Sequence, residues 1–142
     1  MNDPLLARAI AKMLAASPEL AGVNVYGHLE KIVDGEPEGS EEIEFPAVLI
    51  DAKSTPLTGS ASVAMATVNV IVDSQADDDG AAVHNPRQAF VVERMADRNA
   101  LADALASEGL QLLGPPAPTS SDPDIEARAL RGVFAYKIGY AS

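Results

Sequence analysis

An α+β fold, a mostly antiparallel sheet with helices packed on one face, is what this sequence predicts, and three observations carry it. The fourteen-residue run from Ser60 to Asp73 (SASVAMATVNVIVD) reads as one long strand. A strand of that length needs neighbours on both sides, so it is the expected spine of the sheet. The last run alternates Leu130, Gly132, Phe134, Tyr136, Ile138 and Tyr140 against Arg131, Val133, Ala135 and Lys137, the pattern of a half-buried strand. Finally, the order helix, strand, strand, long strand, helix, short strand, long strand lacks the regular alternation that builds a parallel doubly wound sheet.

The elements follow in order. Asp3 and Pro4 read as an N-cap with proline at the first helical position, and Leu6, Ile10, Met13 and Leu14, widened by Leu5, form an apolar stripe ending near Ser17-Pro18. Val23 to Tyr26 is short, β-branched and closed by Gly27, which predicts a strand continuing weakly through Leu29 to Val33. Asp34 to Glu44 holds six carboxylates and two glycines in eleven residues, the composition of a solvated loop. Ile43 to Ile50 then reads as a strand, with Pro46 favouring an edge or strand-start position because it lacks an amide donor. Thr55 to Gly59 is a turn, and the long strand ends at Ala76 to Gly80.

Asn85-Pro86 repeats the cap-and-proline signal, so a helix or a broken pair of helices is expected over 86–107, with the break near Asp97 and a C-cap at Gly109. Leu110 to Leu113 can form a short strand. Gly114 to Asp124 holds four prolines and predicts an exposed, stiff connection.

A chain of 142 residues is the size of one domain, here 1–142, and buries roughly 70% of its unfolded surface. With 47% apolar but only 4% aromatic residues, the core is expected to be aliphatic. Ten Lys and Arg against twenty-one Asp and Glu leave a net charge of -11, which repels a phosphate backbone and argues against specific nucleic-acid binding. The absence of cysteine removes thiolate nucleophiles, disulfides and zinc-thiolate sites. The start, MNDPLLARAIAKMLA, lacks the apolar core of an export signal, and no stretch approaches the ~20 apolar residues of a membrane span, so a soluble protein without membrane partners is expected.

Candidate chemistry is sparse. Asp77, Asp78 and Asp79 before Gly80 suggest calcium, but placing Gly80 sixth in an EF-hand loop puts Gln75 first and Pro86 twelfth, which removes two essential carboxylates. A solvated acidic loop is the preferred reading. Glu41, Glu42 and Glu44 adjoin a loop without the aromatic residues that line sugar sites, which disfavours a glycosidase pair. His28 and His84 have no nucleophile elbow beside them and read as surface or boundary histidines. The glycines are scattered, with neither GxGxxG nor GxxxxGK, so no nucleotide loop is expected. No catalytic, metal or cofactor residue is therefore expected, and the chain reads as a non-enzyme. Arg87, Arg94 and Arg98, spaced by seven and four, fall near one helix face; they are either its wet side or a dock for an acidic partner.

Element order then adds a resemblance. DPLLARAIAKML, VNVYG, the acidic loop, FPAVLID, VNVIVDSQADD, HNPRQAFVVERMADRNALADAL and RALRGVFAYKIGY together resemble phage and prophage tail terminator (tail completion) proteins over nearly the whole chain. The resemblance implies a homo-oligomeric ring, commonly a hexamer, that stacks on the last ring of tail-tube protein and halts polymerisation. It further implies a surface for head joining through the head–tail connector protein, and residence in the virion tail after assembly in the host cytoplasm. A neighbouring neck or head–tail joining component is the alternative, and a small-ligand-binding or enzymatic α+β domain the more distant one.

Overall fold

The computed structural model describes residues 3–28, 30–39, 42–57, 62–74, 81–122 and 130–142. Helix α1 (Asp3–Ala15) buries Leu6, Ala7, Ala9, Ile10, Ala11 and Leu14, the expected stripe widened by alanines. A short 3₁₀ turn at Pro18–Leu20 leads into β1 (Asn24–Gly27). After a reversal at His28, whose φ is 57°, β2 (Glu30–Val33) returns antiparallel to β1. The single strand expected to continue weakly from Val23 through Leu29 to Val33 is thus two strands.

The expected loop from Asp34 to Glu44 is corrected by β3 (Glu36–Gly39), which pairs antiparallel with β2. Asp34 and Gly35 both take positive φ, 51° and 80°, as a two-residue hairpin turn requires, and Asp-Gly is the sequence pair that favours it. The strand signal was hidden because Glu, Pro and Gly have poor β propensity; pairing with β2 makes this segment a strand. Strand β4 (Ala47–Pro56) begins directly after Pro46, at the strand-start position expected of that proline. It does not begin at Ile43: Ile43 and Phe45 precede it and are 38% and 39% exposed.

Strand β5 (Val63–Asp73) runs between β4 and the final strand β8 (Arg131–Ala141), antiparallel to both along its whole length. The spine thus has neighbours on both sides. The sheet order is β3-β2-β1-β4-β5-β8, with two short strands, β6 (Gln111–Leu112) and β7 (Ala117–Asp122), on the far side of β8. The pair β1 and β4 is parallel, so the sheet is mixed, with its other pairings antiparallel. The expected proline-rich connection over Gly114–Asp124 is likewise corrected. Its centre is edge strand β7, where a register shift between Pro118 and Ser120 leaves Thr119 unpaired directly after a proline that cannot donate to the ladder.

Helix α2 (Ala81–Met95) starts earlier than the Asn85-Pro86 signal predicted, with Pro86 inside it. The lost bond to the carbonyl of Ala82 is tolerated because Ala82 is exposed and water can take its place. The break near Asp97 occurs as expected: Asp97 caps α3 (Arg98–Ser107) by accepting from the Ala100 amide at 3.1 Å. Gly109, at φ 77°, closes α3 while the Leu110 amide donates to the Leu105 carbonyl at 2.9 Å.

Glycines show which sheet face the helices cover. A Cβ at Gly27 would meet the Ala7 carbonyl of α1 at 2.8 Å, and one at Gly132 would strike the Gln88 side chain of α2. Pairing places Gly27 beside Ile50, Val70 and Phe134, and Gly132 beside Val72 and Val48, so α1 and α2 lie on the same face. The buried cluster joins these residues to Leu101 and Leu105 of α3 and is largely aliphatic, as composition predicted. All three tyrosines of the chain are nevertheless buried.

Candidate functional site

The densest buried polar group lies where β5 gives way to α2. Ser74 Oγ is 2.9 Å from His84 Nδ1 and accepts from Arg87 Nη1 at 3.1 Å, while the Ser74 amide donates to the Leu130 carbonyl at 2.8 Å. Ser74 and His84 are both 0% exposed, which corrects the reading of His84 as a surface or boundary residue. A serine beside a histidine invites comparison with a hydrolytic pair, but a nucleophile must reach substrate, and this hydroxyl is shut away from solvent and already accepts from a guanidinium. The contact ties the end of β5 to the first turns of α2. Sequence reasoning missed it because Ser74 and His84 are ten residues apart, with the acidic run between them.

Of the three arginines singled out by spacing, Arg87 turns inward to Ser74. Arg94 sits over the Phe90 ring at 6.0 Å and approaches Asp97 at 3.8 Å. Arg98 is exposed and starts α3. The helix break therefore divides the supposed stripe between two helices.

His28 is half-buried, with Nδ1 3.8 Å from Asp51 Oδ1. Glu44 is 3.1 Å from Lys31 Nζ, and this hydrogen-bonded carboxylate holds the lysine pKa above its ordinary value. The Glu44 amide donates to Tyr26 Oη at 2.9 Å, so this part of the carboxylate cluster is anchored to β1. Glu41 and Asp77 to Asp79 lie outside the described residues. Among the described residues no group of three His, Asp or Glu side chains is arranged to hold a metal, and no helix is long and apolar enough to cross a membrane.

The sheet face opposite α1 and α2 carries no helix among the described residues. Its central row, Leu49, Ile71 and Val133, is half-buried. The row of Lys53, Thr67 and Lys137 is exposed, and neither lysine has an ion-pair partner among the described residues. Toward the other end of the sheet, Lys31 pairs across β2 and β3 with Glu38, which places Glu38 and Glu36 on this same face. The face thus carries Glu36 and Glu38 at its β3 end and a basic row, Lys53 and Lys137, across β4 to β8, with Asp51 next to that row on β4. A groove of about 460 Å³ between α2 and β7, lined by Gln88, Val92, Ser121 and Phe134, lies on the helix side.

No protein-family model matches the chain, and no curated protein matches its sequence.

Proposed function

We propose that this chain is a structural ring protein of the phage tail terminator type, which caps the tail tube, stops its polymerisation and offers a surface for head joining. The observation that carries the reading is the sheet face opposite α1 and α2, with Glu36 and Glu38 at its β3 end and the row of Lys53 and Lys137 across β4 to β8. A surface with unlike ends favours head-to-tail contacts, and such contacts close into a ring when the rotation between copies permits. The element order supports the reading through its resemblance to tail terminators, and the net charge of -11 suits a lumen that DNA must pass without sticking. Tail-tube protein below and a connector protein above are the partners this role requires.

The test is assembly. Light scattering and electron microscopy of the purified protein, with and without cognate tail-tube protein, should show closed rings and tubes of limited length. Strictly monomeric protein that leaves tube length unchanged would overturn the reading. Rings that join heads to tails without limiting the tube would favour the neck-component alternative.

A further inference from the structure

We infer that the basic row Lys53-Thr67-Lys137 receives the acidic β2–β3 hairpin of a second copy of this chain. The inference rests on the ring reading and names the contact that would build it.

The hairpin forms one edge of the sheet. Of β2, Glu30 and Lys31 pair with β1, whereas Ile32 and Val33 pair with Pro37 and Glu36 of β3. Ile32 is buried in the core, so the hairpin is an edge of the sheet rather than a free projection, with Asp34 and Gly35 at its turn. Two of its charges are satisfied within the chain, since Glu30 binds Arg8 at 3.0 Å and Lys31 binds Glu44 at 3.1 Å. Asp34, Glu36 and Glu38 are exposed and have no ion-pair partner among the described residues.

The receiving row has the opposite charge. Lys53 and Lys137 flank Thr67 across three adjacent strands, which sets their Cα atoms about 10 Å apart, a span that a two-stranded hairpin can bridge. Asp51, on the same face, is engaged by His28 at 3.8 Å. The hairpin is far from this row in its own chain: β3 and β4 are three strand spacings apart, about 14 Å, and Lys53 lies four residues, about 13 Å, along β4 from Leu49, the residue that shares a row with Glu38. A second copy can satisfy both sets. Beyond the intervening row of Asp51, Asn69 and Ala135, the half-buried row of Leu49, Ile71 and Val133 offers apolar surface to the same neighbour.

Charge exchange tests the contact. One variant carries Glu36→Lys and Glu38→Lys, the other Lys53→Glu and Lys137→Glu; sedimentation and light scattering are compared for each alone and for an equimolar mixture at ~0.1 M salt. Each variant alone opposes like charges and should need about tenfold or more protein to assemble. In the mixture every hairpin meets a row of opposite charge, so assembly should return toward the wild-type concentration. A folding defect would not be repaired by mixing, and circular dichroism checks each variant separately. Wild-type rings with variants that assemble normally, or a mixture that fails to recover, would overturn the docking assignment while leaving the ring reading intact. Wild-type protein that never self-associates would overturn both. Unchanged self-assembly combined with lost tube-protein binding in the Lys53→Glu, Lys137→Glu variant would assign the row to the tube instead and overturn the second-copy contact.

Discussion

Gly27 lies against the backbone of Ala7, so close that a Cβ at position 27 would stand 2.8 Å from the Ala7 carbonyl oxygen. Backbone cannot rotate away as a long side chain can. Gly27→Ala should therefore push α1 off β1 and destabilise the protein by about 1–3 kcal/mol. Gly39→Ala, where the added methyl meets open space, is the control and should change stability by less than about 0.5 kcal/mol. Urea denaturation of the two variants checks this, and equal midpoints would contradict the close packing of α1 on the sheet.

A second relationship joins the chain's two ends. Asp3 accepts from the Ser54 amide at 3.2 Å and from the Ser54 hydroxyl, and Ser54 Oγ is 2.8 Å from Tyr140 Oη. The start of α1, β4 and the end of β8 thus share one polar cluster. Asp3→Ala should cost about 1–3 kcal/mol and Tyr140→Phe about 1 kcal/mol. Because the residues share Ser54, a double-mutant cycle should show a coupling of at least about 0.5 kcal/mol. Strict additivity would mean that the cluster does not act as a unit.

Burial raises the pKa of Tyr136 above the ordinary tyrosine value of 10.0. The folded state therefore holds this proton more tightly than the unfolded state. Its effect on stability is flat below the unfolded pKa and is lost as pH rises from there through the folded pKa. In an ultraviolet tyrosinate titration of the native protein, Tyr136→Phe should remove a late-titrating component and soften the alkaline loss of stability. Retention of the late component would assign it to another tyrosine.

Ser74 joins His84, both 0% exposed, to the half-buried Arg87. Ser74→Ala leaves the buried His84 and the half-buried Arg87 without that hydroxyl, and should cost about 1–3 kcal/mol. Ser74→Thr should retain more of the stability by keeping the hydroxyl. Thermal unfolding of both variants checks the order; equal losses would mean that the hydroxyl contributes nothing.

Most of what could be read from the chain alone was set by near neighbours in sequence. The stripe of α1, the alternation of β8, the long β5, the helix break near Asp97 and the Gly109 C-cap depend on periodicity and on helix ends within a few residues, and all were legible. So was the fold class, since it follows from element order. The tertiary structure alone decided the edge strands β3 and β7, because Glu-, Pro- and Ser-containing segments become strands only when a partner strand takes up their backbone hydrogen bonds. It decided the place of His84, buried by chain that packs around it from β5 and α2. It also decided the polarity of the open sheet face. Glu38, Lys53 and Lys137 stand far apart in the chain, and only strand order and register bring the glutamate and the two lysines to separate parts of a single surface.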